Sequence, residues 1–305
     1  MAQILFSRIG RKVFYIFSLL VAIVIVFAVG IYLFAWDNIA SRAFLQLVPL
    51  PAALVNNRFV TLEEVSTIEQ GYERQVRSQI DFDFASPEGR SVLAKQRKQI
   101  LQGLIENAIV EAELRKRSIE TTMPEFEYYY TYVLTRIGLA RDQAAQEIRN
   151  RYAWDEKKFK NFVVRPDLNR AKLQVAILQE QKDSDAFRKV TEVSDLLKSG
   201  QDFAVVAEVR SEDEASKFIG GSLGFVTSNE LDPWLAKSAF GLKDGEISDI
   251  VISPAGYHIL QVSSHYQEAG KEHVELRHIL IKGEDVSNYL AKERKNYRIH
   301  SFGKF

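Results

Sequence analysis

The pattern of apolar and polar positions divides the chain into three stretches. Val13 to Trp36 is an unbroken run rich in Val, Ile, Leu and Phe with no charged residue. As a helix it is about 35 Å long, enough to cross a bilayer core of about 30 Å. Arg8, Arg11 and Lys12 precede the run and only Asp37 and Arg42 closely follow it. This bias places the N-terminus in the cytoplasm and the rest of the chain outside. A cleaved signal peptide is the alternative, but its apolar core is expected to be only about 7–15 residues.

From Asp37 to about Gln181 the period is mostly helical. Ala53–Val55 and Arg58–Val60 flank Asn56-Asn57, a pair suited to the positive dihedrals of a tight hairpin turn. Thr61 with Glu64, and Thr122 with Glu125, have the spacing of capping boxes. Between them, Ser91–Arg117 carries Leu93, Ile100, Leu101, Leu104, Ile105 and Ala108 at helical spacing. The second box opens a helix with Tyr128, Tyr129, Tyr130 and Tyr132, either packing residues or a client surface. Two more helices are predicted over 142–152 and 155–164, and the Gly- and Pro-free stretch 167–199 is also helical in composition.

The third stretch alternates in a different way. Gly220-Gly221 and Gly224 mark a sharp turn, and Leu231–Leu242 reads as a short apolar helix. Strands over Glu246–Ile252 and Tyr257–Val262 flank the turn Ser253-Pro254-Ala255-Gly256. His258, Leu260 and Val262 share a face by the period of two, so an ionisable ring sits in an apolar row. Its plain reading is a packed core or edge histidine.

Composition narrows the chemistry. Forty basic and forty acidic residues among 305 balance to zero, so nothing argues for nucleic acid. The absence of cysteine excludes disulfides, thiolate catalysis and zinc–thiolate sites. No phosphate loop, dinucleotide fingerprint or metal-spaced cluster is present, and no cofactor or metal is expected.

Ordered landmarks carry a family resemblance. Gly220-Gly221, Leu223-Gly224-Phe225, then Ala239-Phe240-Gly241-Leu242-Lys243-Asp244-Gly245-Glu246-Ile247-Ser248 and Gly256-Tyr257-His258-Ile259-Leu260 resemble the parvulin (PpiC-type) peptidyl-prolyl isomerases. The likeness spans about Val190 to Val262, with Ser222 where the family usually has Asp. The Val-Asn-Asn turn, the Thr61-Leu62-Glu63-Glu64 helix start and Leu104–Val110 are similar to the N-terminal chaperone region of SurA and PpiD foldases. Such a region cradles unfolded chains.

The family's opening strand, Arg-His-Ile-Leu, is not where it is expected. Leu173-Gln174-Val175-Ala176-Ile177-Leu178 stands there, with alanine at the histidine position. Glu275-Leu276-Arg277-His278-Ile279-Leu280 carries the motif after the closing strand instead. Either the sheet is closed by a strand from behind, as in a circular permutation, or a second parvulin domain begins and is cut short. About thirty residues cannot bury a core of their own.

The resulting expectation is an α+β chain: a tail and transmembrane anchor over 1–36, a helical SurA-like domain over 37–181, and a parvulin-like antiparallel sheet with helices over 182–305, closed by the strand 275–282. The resemblance implies a catalytic group of His258, His278, Asp213 and Ser253, and a proline cup of Leu223, Leu231, Leu235 and Phe240. It implies a single-pass foldase of the cell membrane acting on unfolded or newly translocated proline-containing polypeptides. The alternatives are a non-catalytic holdase that keeps the fold for grip, and an envelope assembly protein with a fixed partner. For Asp213 a plain loop acid within Glu212-Asp213-Glu214 is the other reading.

Overall fold

The computed structural model describes residues 2–34, 36 and 38–303. Asp37, where the second stretch was expected to begin, lies outside the described residues, as do the side chains of Arg8, Arg11 and Lys12. The chain forms two compact units, Met1–Ala108 with Asn296–Phe305, and Ile109–Lys295.

In chain order the first unit begins with α1 (Ala2–Phe34) and α2 (Ile39–Leu47), then β1 (Pro51–Val55), β2 (Arg58–Thr61), α3 (Leu62–Gln79) and α4 (Pro87–Lys116), whose last turns belong to the second unit. Within α1, Tyr15–Phe34 is long and apolar enough to cross a membrane. The hairpin turns at Asn56, which takes φ +51°, and Thr61 and Glu64 exchange both capping-box bonds at the start of α3. Arg97 of α4 grips the buried Glu69 of α3 with two nitrogens, at 2.8 and 3.1 Å, so this carboxylate is paired inside the unit.

The second unit continues with α5 (Met123–Arg136), α6 (Ala144–Tyr152), α7 (Glu156–Phe159), α8 (Arg165–Glu180), α9 (Asp185–Lys198) and α10 (Phe203–Arg210). Then come β3 (Ser222–Val226), α11 (Pro233–Ala239), β4 (Val251–Ser253), β5 (Gly256–Glu268), β6 (Lys271–Ile281) and α12 (Val286–Glu293). The final strand, β7 (Ile299–Ser301), returns to the first unit and pairs antiparallel with β1, giving the order β2-β1-β7.

Where the sequence predicts separate helices around 155–164 and beyond 167, α7 instead runs through a wide π turn, Lys160–Val164, into α8. Pro166 falls just after that turn, where its missing N–H is accommodated by the altered bonding. Of the tyrosines of α5, Tyr129 and Tyr130 are buried packing residues, the Tyr129 hydroxyl donating to Asp167 at 2.8 Å, while Tyr132 is half-buried and Tyr128 exposed.

The sheet of the second unit is antiparallel, in the order β3-β6-β5-β4. Its two faces bury separate apolar clusters, as the period of two requires. Tyr257, Ile259, Ile279 and Ile281 face α9 and α10, while Leu260, Val262, Val274 and Leu276 face α11. Each fully buried Leu, Ile or Val contributes about 1.5–3 kcal/mol relative to exposure. Only Val251 and Ile252 of the predicted strand Glu246–Ile252 join a ladder, as part of β4. The Ser248 hydroxyl interrupts it, accepting from the Leu260 N–H and donating to the Asp249 carbonyl. Only a lone bridge between Ile247 and Gln261 remains upstream.

Candidate functional site

Adjacent strands β5 and β6 pair His258 with Leu280 and Leu260 with His278, so the two histidines are diagonal neighbours on one face. Their rings are 5.4 Å apart and nearly parallel, and Nδ1 of one lies 3.3 Å from Nδ1 of the other. Both side chains are buried.

Each end of the pair is held. Ser253, at the end of β4, places Oγ 2.8 Å from His258 Nε2 and accepts from the Ala255 N–H in the turn. At the other end His278 Nε2 is 2.9 Å from Asp213 Oδ2 and 3.1 Å from Ser216 Oγ. The Ser216 hydroxyl donates to Asp213 Oδ2 at 2.5 Å. Gly221 fits the backbone against the pair. It takes φ +74°, its carbonyl accepts from the His278 N–H at 2.8 Å, and a Cβ there would lie 2.3 Å from the His278 carbonyl oxygen.

The protons follow from the contacts. Asp213 as a carboxylate can only accept, so His278 Nε2 carries a hydrogen toward it. Two Nδ1 atoms in contact share one proton, so with a single proton on each ring His258 Nδ1 donates to His278 Nδ1. His258 Nε2 then accepts from the Ser253 hydroxyl. Every group in the row is satisfied in one direction, from Ser253 to Asp213.

Electrostatics agree with that order. Burial, with His278 beside it, pushes His258 down to about 3, against a weaker upward pull from Asp213. For Asp213, burial acts upward but the hydrogen bonds from Ser216 and His278 outweigh it, leaving the carboxyl below its ordinary value. The result is a neutral His258 at one end of the row and an anionic Asp213 at the other.

Beside this row lies an apolar cluster that contains the residues expected to form the proline cup. Leu231 and Leu235 are buried in the α11 cluster, and Leu223 and Phe240 pack on it half-exposed. The structure therefore brings together all eight residues singled out in the sequence, as four polar groups in one row and four apolar ones in one cluster. Ser216 and Ser211 were missed. Ser211 Oγ accepts from the N–H groups of Leu280 and Asp213, tying the loop to β6. A hydroxyl three residues after Asp213 was the available signal for Ser216.

Residues 171–264 match the PPIC-type PPIASE domain family, and residues 5–130 match the SurA-like N-terminal domain. The first match contains Asp213, Ser253 and His258 and ends before His278. The foldase protein PrsA of Clostridium botulinum strain Langeland is 26% identical over 268 residues, spanning 72% of this chain and 74% of its own. The chaperone SurA of Nitrosospira multiformis is 39% identical over 88 residues, 29% of this chain and 20% of its own. Among solved structures, the Bacillus anthracis peptidylprolyl isomerase PrsA aligns over 65% of this chain and 86% of its own, at 22% identity and a TM-score of 0.22. The chain thus combines a SurA-like N-terminal domain with a PPIC-type PPIASE domain, a domain of the peptidyl-prolyl isomerase family.

Proposed function

We propose that the row Ser253, His258, His278 and Asp213 is the floor of the isomerase site and that Leu223, Leu231, Leu235 and Phe240 form the cup for the proline ring. The observation that carries this reading is the 3.3 Å contact between the two histidines with both outer nitrogens held. An X-Pro bond turns over unaided in tens to hundreds of seconds, because twisting costs the amide its conjugation. A site that binds the twisted form better than either planar form accelerates the turn without covalent chemistry. The cup grips the ring while the aligned row supplies a fixed field at the rotating carbonyl.

In this reading the isomerase domain begins at 182 and is circularly permuted, with 275–282 in the place of the family's opening strand. The central position of β6 between β3 and β5 supports it. The helical region 37–181 holds unfolded clients, newly translocated chains containing proline. Residues 1–36 anchor the protein in the cell membrane with a single span, the N-terminus in the cytoplasm and the bulk outside. The apolar length of Tyr15–Phe34 and the basic residues ahead of it support that topology.

The test is isomerisation of a short X-Pro peptide by the full chain and by His278→Ala. Turnover is expected in the first and a loss of about tenfold or more in the second. Equal rates with a folded variant would remove His278 from the site. A folded but inactive parent would leave the domain as a holdase.

A further inference from the structure

Along β4 and the run that precedes it, beside the strand that carries His258, is an open cavity of about 650 Å³. One wall is α8, through Val175 and Gln179, and the other is α11 with its C-terminal end, through Trp234, Ser238 and Leu242. The floor is the seven-residue run Glu246–Ile252, in which Val251 and Ile252 belong to the edge strand β4 and Ile247 makes the lone bridge to β5.

That floor offers backbone as well as side chains. The bridge at Ile247 is made by Ser248 N–H to the Leu260 carbonyl and Val262 N–H to the Glu246 carbonyl. In such an antiparallel pair the intervening residue turns its own N–H and C=O outward. The Ile247 backbone therefore faces the groove, as on an edge ready for another strand. The charges around it have one sign. Glu246 and Asp249 are the charged residues of the lining, and among the described residues the Asp249 carboxylate makes no ion pair. Lys198 stands with Asp249 in a smaller adjoining cavity of about 120 Å³.

We infer that this groove is a second polypeptide site, which takes an extended apolar stretch of a client, bearing a basic side chain and independent of proline, as an added strand beside Ile247. Alternate apolar residues of that stretch meet Trp234, Leu242 and Val175, and its cation meets Asp249 and Glu246. The inference rests on the foldase reading only in taking an unfolded client as the occupant. Since β4 also carries Ser253, an occupied groove would steady one end of the histidine row.

The experiment uses the full chain in lipid nanodiscs and two dye-labelled, proline-free octapeptides of alternating Val and Thr, one with a central Lys and one with a central Glu. Fluorescence anisotropy is expected to show the Lys peptide binding at least tenfold tighter, undisturbed by excess X-Pro peptide. Asp249→Lys should reverse that order, and Glu246→Lys should lower the preference in the same direction. Equal binding of the two peptides, no binding, displacement by the X-Pro peptide, or an order unchanged in both variants would overturn the inference. A dimer of the chain that Asp249→Lys dissociates in sedimentation would overturn it too, by making a second copy the occupant. Charge-swapped binding in a protein with no isomerase turnover would sink the catalytic reading and leave the groove standing.

Discussion

Ser216 is the residue whose removal best separates orientation from charge. Its hydroxyl touches both Asp213 and His278, yet it need not change protonation when the row is set. Ser216→Ala should cost about 1–2 kcal/mol of stability and lower isomerase turnover severalfold, measured by urea unfolding and the peptide assay. Gly221→Ala is expected to be harsher, about 2–4 kcal/mol, because both the positive φ and the 2.3 Å approach to the His278 carbonyl must be relieved. Two groups, the half-buried Asp232 and the buried His258, respond to acid in opposite senses. Asp232, the N-cap of α11, is raised from 3.8 to about 6 by burial, against the N–H groups of Trp234 and Leu235 and the Arg136 charge. A carboxyl that keeps its proton better folded than unfolded stabilises below its unfolded pKa and loses that contribution as pH rises through about 6. His258, lowered from 6.5 to about 3, stabilises above 6.5 and loses its contribution as pH falls toward 3. The slopes oppose between about pH 4 and 6. Asp232→Asn keeps an acceptor for the cap and removes only the first slope. Its stability at pH 7 should rise by about 1–2 kcal/mol, and its melting temperature should fall more steeply with acid than the parent's. The eight candidate residues could be singled out in the sequence because each falls within, or at the expected step from, a motif. Ser216 could not, since a serine in a charged loop has no period to set it apart.

At the scale of elements, a strand's place in the sheet was harder to read than its existence. The motif around His278 identified a strand, but its central position depends on long-range pairing with β3 and β5, which no local pattern encodes. The helix starts at Thr61 and Thr122 were legible because a capping box is a local exchange of bonds. The strand over Glu246–Ile252 was read too long for the converse reason: alternating Ile, Asp and Val satisfy the period, while one hydroxyl diverts the backbone bonds. The continuous run from α7 into α8 was hidden by Pro166, which marks a break in most sequences and here follows a π turn. Gly256 is the joint of the β4–β5 turn, with φ +146° and no room for a Cβ beside the Ile281 carbonyl, at 2.3 Å. It fixes the approach of β5 to β6 at the strand end next to Ser253.

At the scale of the whole molecule, the chain leaves the first unit, builds the second and comes back as β7. The small sheet of the first unit is therefore completed by residues nearly 240 positions after its hairpin: Asn56 accepts on its side chain from the Arg298 N–H, and its own N–H donates to the Arg298 carbonyl. Removing 296–305 leaves a two-stranded hairpin, a structure marginal by itself. The truncated chain should show a lowered first transition in calorimetry with isomerase turnover retained. The same late arrival governs the second unit. Its sheet has β6 in the middle, yet β6 is the last of its strands to be made. As the chain grows from its N-terminus, β3, β4 and β5 all emerge while the position between β3 and β5 is still vacant. One histidine of the pair exists well before the other. The sheet is thus a latecomer to its own closure: a nascent chain halted between β5 and His278 carries β3, β4 and β5 without the strand that joins them, and is itself the kind of polypeptide that needs a foldase.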